Sequence, residues 1–270
     1  MRFVCDHDLH IHTYLSNCSG DINQTPQNIL NYAKNNNLNT ICITDHYWDS
    51  SIPYNTGNNA WYQNQNFEHI SQALPLPTAQ GIRVLFGCEV EMGSNNELAI
   101  PEFRYKDFDF IIVSTTHFHL MAGKNWDDVD EKKLISNWID RYDVVLNSKL
   151  PFNKVGLAHL ATPHIYRKDR KTYLKILENL PLSELKRLFL KTAQLGVGIE
   201  LNGSMLSFAD EEKDYVLRMF KVAKECGCKF YLGSDAHRLN NFNSVNAVFN
   251  RAIDLLQLEE TDKFVFNSNY

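Results

Sequence analysis

The run FVCDHDLHIH, residues 3–12, decides how the rest of the chain is read. It has the apolar, β-branched content of a buried strand, yet it closes on two histidines, His10 and His12, behind Asp8. Strict alternation puts Asp8, His10 and His12 on one face and His7, Leu9 and Ile11 on the other. Two imidazoles two residues apart on one face are spaced to share a cation. An ordinary packed strand can also end on histidine, so the other strands must decide.

Six further runs end in the same way or begin a similar ending: TICITDH (40–46), RVLFGCEVE (83–91), FDFIIVSTTH (108–117), KVGLAHL (154–160), GVGIELN (196–202) and CKFYLGSDAH (228–237). Each has the composition of a short buried strand. Helical patterns lie between them. Thr25 and Pro26 open PQNILNYAKNN with a cap and a first-turn proline. Helices are also expected over much of 130–146 and near 245–256. Ser183 is expected to cap ELKRLFLKTAQL before Gly196, and DEEKDYVLRMFKVAKEC opens acidic and stops at Gly227. Strand and helix thus alternate about seven times, the order of parallel strands joined by helical crossovers.

Residues 47–76 break the alternation. This Asn-, Gln- and Tyr-rich stretch is expected to be a long loop with a helix around 67–73, lying at the face where His46 ends its strand. Trp48, Tyr54, Trp61 and Tyr62 are its candidates for influencing substrate choice. No linker or repeat divides the chain, so residues 1–270 are expected to form one domain.

Position carries the functional signal. His10, His12, His46, His117, His159 and His237 all close a strand, His119 follows two residues after one, Glu89 ends the third strand and Asp235 precedes His237 by two. Parallel α/β folds collect ligands at these carboxyl ends. A lone histidine after an apolar run is ordinarily a hydrogen-bonded structural residue, and His7, His69 and His164 keep that reading. Six at equivalent ends do not. Mixed imidazole and carboxylate donors suit Zn, Mn or Fe, and the set is too large for one tetrahedral ion. Two or three divalent metal ions are expected, with a carboxylate such as Glu89 bridging.

The remaining composition bounds the function. A net charge of −5 disfavours an extended nucleic-acid surface. The N-terminus lacks a signal-peptide core and no apolar run reaches membrane-spanning length. Five of the six cysteines fall in apolar or helical runs, as free thiols of a cytoplasmic protein do, while Cys18 lies in a polar loop.

In their order, DLHIHT, ITDH, GCEVE, STTH, GLAH and LGSDAH resemble the polymerase-and-histidinol-phosphatase (PHP) family of metal-dependent phosphoesterases, over Asp8 to His237. The resemblance implies a distorted (β/α)7 TIM-like barrel of parallel strands with a trinuclear centre. It places His10, His12, Glu89 and Asp235 on a first ion, Glu89, His117 and His159 on a second, and His46 and His237 on a third. Several relatives supply a further histidine where this chain has Cys18. A thiolate is a good zinc ligand, with Ser19 and the harder donor Asp21 as neighbouring alternatives. Asp8 is expected to orient an imidazole by a hydrogen bond, and Glu91 either supports the site or is solvated.

Such a centre implies hydrolysis of a small-molecule phosphate monoester by metal-activated water, histidinol phosphate being one candidate. Asp235 and His237 are the candidate catalytic groups. His119, Arg238, and Arg167 and Arg170 in the basic run HIYRKDRK are candidate substrate contacts, although such runs are ordinarily solvated. A nucleotide or oligonucleotide phosphoesterase and a non-catalytic metal-binding module are the alternatives. No nucleophile-elbow or phosphate-loop motif points elsewhere.

Overall fold

A computed structural model describes residues 1–55, 60–120 and 128–265, apart from the side chains at 60, 61 and 120. Trp61, one of the insert's candidates, therefore lies outside the described side chains.

The strands are β1 (His7–Ile11), β2 (Thr40–Ile43), β3 (His46–Tyr47), β4 (Arg83–Val90), β5 (Phe110–Val113), β6 (Val155–Leu157), β7 (Gly198–Asn202) and β8 (Lys229–Gly233). They pair in parallel in the order β1-β2-β4-β5-β6-β7-β8, with the two-residue β3 joined to the end of β4. The expected second strand is thus broken after Ile43, and β3 carries the chain back beside Glu89.

Seven strands curl into a nearly closed barrel. At the seam between β1 and β8 the ladder is replaced by scattered contacts. Asp235 N donates to His10 O at 2.7 Å and His12 N to Ala236 O at 3.1 Å. Lower down, side chains do the work of backbone, as Leu232 N donates to His7 Nε2 and Ser234 N to Asp8 Oδ1. His7 is therefore a structural histidine, as read from sequence.

The inner face is layered. Leu9, Cys42, Leu85, Phe110, Ile112 and Tyr231 fill the lower barrel, with Phe264 among them. Above them the inward positions become polar: Glu89 and Glu91 at the top of β4, Glu200 and Asn202 on β7. The larger apolar core lies between strands and outer helices.

The helices are α1 (Pro26–Asn35), α2 (Phe67–Ile70), α3 (Glu131–Leu146), α4 (Arg170–Asn179), α5 (Leu182–Leu195), α6 (Lys213–Glu225) and α7 (Val245–Leu256). Thr25 caps α1 as expected, accepting from Asn28 N, and α5 ends on Gly196 at φ +74°. Two expectations are corrected. Ser183 lies inside α5, whose cap position is Pro181. The basic run after β6 is not all loop: Asp169 accepts from Thr172 N and starts α4 at Arg170. Tyr173, Ile176 and Leu177 form the buried stripe of that helix.

Candidate metal centre

The carboxyl ends of the strands bring the predicted donors to one mouth. His10, His12, His46, Glu89, His117 and His159 are buried there, while the side chains of Asp235 and His237 keep 18% and 27% exposure. His10 Nε2 and His12 Nε2 face each other at 3.1 Å. Asp235 Oδ1 lies 3.6 Å and 3.2 Å from them, and Glu89 Oε2 lies 3.6 Å and 3.5 Å away. The other oxygen of Glu89 is 2.9 Å from His159 Nε2 and 4.0 Å from His117 Nε2. His12 and His237 stack at 4.0 Å between ring centroids, beside His46.

The second nitrogen of each ring explains the first. His10 Nδ1 meets Glu200 Oε1 at 2.6 Å, while Glu91 holds His46 Nδ1 and His117 Nδ1, both at 2.9 Å. His237 Nδ1 donates to Asp235 O, and Thr116 Oγ1 holds His159 Nδ1. His12 Nδ1 meets Ser16 Oγ, whose own proton goes to Asp45 Oδ1 at 2.6 Å, so the ring nitrogen is the donor. Carboxylates and carbonyls only accept. These partners therefore draw the ring protons outward and leave Nε2 lone pairs aimed inward.

That arrangement fits a metal centre better than a hydrogen-bonded core. Two imidazole lone pairs converging within hydrogen-bond distance repel unless a cation or proton lies between them. Glu89 Oε2 is buried and accepts no hydrogen bond of good angle, even from His46 Nδ1 2.7 Å away, whose proton is turned to Glu91. Donor groups able to hold an ion include His10–His12–Glu89, Glu89–His117–His159, His12–His46–His237 and His46–Glu89–Glu91. Burial resists ionisation of Glu89 and Asp235, but the facing histidines, while protonated, outweigh it and hold both carboxyls well below their usual range, so the carboxylates stay charged whether protons or cations occupy the mouth.

Two of the candidate donors sit on strained backbone. His159 has φ +30° and Asp235 φ +56°, a region that side-chain-bearing residues rarely enter. His159 N is pinned there by Glu200 Oε2 at 2.6 Å, and Asp235 Oδ2 by Asn202 Nδ2 at 3.2 Å.

Cys18 is the loop residue beside the third group, its Sγ 3.2 Å from His46 Nε2. Cys18 as a residue is exposed, and although the protein packed around its sulfur opposes the thiolate, His46 and His237 overcome this and bring the thiol down to about 7. Its two competitors are turned elsewhere. Ser19 Oγ donates to His237 O, and the Asp21 carboxylate accepts from Asn23 N and Leu239 N.

Asp8 does not orient an imidazole. The register of β1 is irregular between Asp8 and Ile11, so Leu9 turns into the barrel and Asp8 turns toward α1. There Asp8 accepts from Tyr32 Oη, Ser234 N and His10 N, fastening the seam. The orienting role falls to Glu200, Glu91, Thr116 and the Ser16–Asp45 pair. Glu91 had an ambiguous sequence signal; Glu200 had one only as the buried charge inside GIELN, and Ser16, Asp45 and Thr116 had none.

The basic candidates separate. His119 and His164 stand over the mouth, with ring centroids 5.1 Å and 6.3 Å from that of His117. His164 thus joins the rim, contrary to its sequence reading. His164 is exposed at its outer edge, and the packing on its inner side, then His117 and Arg167, lower its affinity for a proton to a pKa of about 3. Arg167 is exposed on the same side. Arg238 Nε reaches Ser19 O across the Cys18 loop. Arg170 is not brought to the cluster: it makes a bidentate pair with Glu212 at 2.7 Å and 2.6 Å and lies over Tyr173. In the insert, Trp48 is sealed in the core with Tyr54 edge-on against it, and Tyr62 meets His46 edge-on at 5.0 Å.

Comparison with known proteins identifies the family and the fold. The sequence profile described as PHP domain matches residues 8–204. A protein named "Probable phosphatase" from Caldicellulosiruptor saccharolyticus is 23% identical over 231 residues, covering 85% of this chain and 79% of its own. A probable phosphatase of Thermoanaerobacter sp. is 28% identical over 235 residues, covering 85% and 78%. Among solved structures, the putative histidinol phosphatase of Listeria monocytogenes superposes with a TM-score of 0.63 at 12% identity, covering 90% of this chain and 99% of that one. Histidinol phosphate phosphatase of Lactococcus lactis, complexed with zinc, L-histidinol and phosphate, gives a TM-score of 0.55 at 16% identity, covering 92% and 93%. At these identities the two structures show a shared fold.

Proposed function

From the premise that the chain belongs to the PHP domain family and is a phosphoric ester hydrolase, we propose that it hydrolyses a small-molecule phosphate monoester at this centre. One observation carries the proposal: six imidazoles, each with Nδ1 engaged, converge with Glu89 and Asp235 at the mouth of the barrel.

In this reading His10, His12, Glu89 and Asp235 hold a first divalent ion and Glu89, His117 and His159 a second. His46, His237 and Cys18 hold a third. Imidazole and thiolate donors favour zinc, with manganese or iron as alternatives. When bound, such ions lower the pKa of water and neutralise charge on phosphoryl oxygens.

The chain's own groups supply the rest. Asp235 and His237 line the cavity beside the cluster; we assign the ionised Asp235 the relay of a proton, accepted from water and passed to the leaving oxygen, and His237, whose Nδ1–H is held by Asp235 O, the positioning of that loop. Arg167 and Arg238 border the mouth and attract the phosphate, while His119, which burial and then His117 keep neutral, can offer only a ring N–H; His164 closes the rim. Histidinol phosphate belongs in the substrate panel because a structural neighbour was complexed with L-histidinol and phosphate. One domain carries the activity, and we place it in the cytoplasm, where the six free cysteines stay reduced.

The test is turnover of p-nitrophenyl phosphate by protein supplied with Zn²⁺ or Mn²⁺, and its loss in chelator. His10→Ala should abolish turnover while circular dichroism stays unchanged. Full activity in that variant would refute the assignment.

A further inference from the structure

A cavity of about 470 Å³ opens directly beside Asp235 and His237, and its walls differ in character from the cluster. Ser204 and Ser207 come from the loop after β7; Asn240, Asn241 and Ser244 come from the segment before α7. Val245 and Val248 supply the apolar part of the wall. The volume suits a metabolite of modest size.

The hydrogen bonds of these walls show what they offer inward. Ser204 Oγ donates to Asn202 Oδ1 at 2.8 Å and Ser207 Oγ to Gly203 O at 3.1 Å, so both oxygens keep lone pairs for an incoming donor. Asn241 Oδ1 already accepts from His237 N and Arg238 N, which leaves its amide N–H groups as donors. The wall therefore offers both neutral acceptors and neutral donors, which together suit hydroxyl groups, each of them donor and acceptor at once.

What the wall lacks is equally specific. Among the described lining residues Asp235 is the one carboxylate, and His10, His12 and Asn202 surround it. Among those residues the aromatic rings are His164 and His237; there is no Phe, Tyr or Trp to stack on a planar leaving group. Against these described walls an ammonium would lose its hydration without meeting a counter-charge other than Asp235, which His10, His12 and Asn202 already engage. A hydroxyl exchanges water for Ser or Asn at little cost.

We propose that the leaving group is a neutral polyhydroxyl chain, making the preferred substrates polyol or sugar monophosphates and not phosphates of amino alcohols or nucleosides. This rests on the phosphatase reading and narrows it.

The experiment measures kcat/KM under one metal condition for glucitol 6-phosphate, L-histidinol phosphate, phosphoethanolamine and adenosine monophosphate, with p-nitrophenyl phosphate as the baseline ester. The expected result is at least about a tenfold advantage for glucitol 6-phosphate, toward the lower end of what one unsatisfied buried polar group costs. Equal or better turnover of histidinol phosphate or the nucleotide overturns the inference while leaving the phosphatase reading intact. No turnover of any ester, baseline included, overturns both. Ser204→Asp and Asn240→Asp add a carboxylate to the wall. Each should move the ratio of phosphoethanolamine to glucitol 6-phosphate by about tenfold toward the amine. Folded variants with an unchanged ratio would show that the leaving group does not occupy this cavity.

Discussion

Glu200→Gln tests how the centre is prepared. Glu200 is wholly buried and acts only as an acceptor: Oε1 takes His10 Nδ1 at 2.6 Å, and Oε2 takes His159 N at 2.6 Å and Asn202 Nδ2 at 3.2 Å. A glutamine has one oxygen. Whichever way the amide is turned, its NH₂ must face either the His10 ring proton or the donors of His159 and Asn202. At least one buried donor is therefore orphaned, costing about 1–3 kcal/mol, and the surviving bonds lose their ionic component. Unfolding stability should fall by about 2–3 kcal/mol on that account. Affinity for the ion at His10 and His12 should fall roughly 10–100-fold, because ring orientation and basicity are both disturbed. Urea unfolding reads the first quantity; zinc titration against a competing chelator reads the second. p-Nitrophenyl phosphate turnover at saturating zinc shows how much activity returns when the ion is restored. A folded Gln variant with zinc affinity and activity within twofold of the parent would refute the argument that Glu200 holds His10 in its ligand tautomer.

Four other perturbations probe neighbouring parts of the structure. Gly233→Ala would place a methyl 2.1 Å from Glu200 Oε1 and 2.7 Å from His10 Cβ, so metal affinity should drop at least as far as in Glu200→Gln; unchanged zinc binding would contradict the packing. Arg141 is buried and donates to Thr115 O, Gly93 O and Met92 O, fastening the loops behind Glu91 and His117. Arg141→Met should cost about 3–5 kcal/mol by strand-end carbonyls left without donors, read as a fall in urea midpoint; a loss under 1 kcal/mol would show that water replaces the arginine. Cobalt-loaded protein should show a thiolate-to-metal charge-transfer band that disappears in Cys18→Ser, and a band that persists would exclude Cys18 as a ligand. Asp49 is buried against Ser51, Tyr47 and Arg104; burial opposes its charge, but those partners outweigh it and lower its pKa. Its stabilising effect is complete above the unfolded value near pH 4 and fades as pH falls through the folded one. The stability gap between the parent and Asp49→Asn should accordingly be large at pH 7 and shrink toward pH 3, and a gap independent of pH would exclude the ionised carboxylate as its source.

The seven barrel strands were legible because each is a short apolar run, and the donors because they recur where such runs end. That logic fails where the phase of a strand slips. In β1 a single irregularity between Asp8 and Ile11 sends Leu9 inward and Asp8 outward, so alternation from the histidines assigned Asp8 to the wrong face. It fails again in α4, where a run of Arg, Lys and Asp concealed an Asp169 cap followed by Tyr173, Ile176 and Leu177 at helical spacing. Inside the site the division is chemical. Donors to a cation need only reach the mouth, and strand ends announce them. The groups that turn those donors have no such address: Glu200 is mid-strand, Ser16 and Asp45 are in loops, Thr116 precedes His117, and Glu91 serves two rings at once. Each except Asp45 takes an Nδ1 proton directly, and Asp45 acts through Ser16 by accepting its hydroxyl proton; what they share is a relation to a ring brought near by folding. An imidazole presents Nε2 to an ion only when Nδ1 has somewhere to send its proton. The linear pattern therefore identifies the atoms able to bind, while the tertiary partners determine that they are free to do so. A chain that retained every histidine but lost Glu91 and Glu200 would keep the same motifs and, on this argument, bind its ions far more weakly.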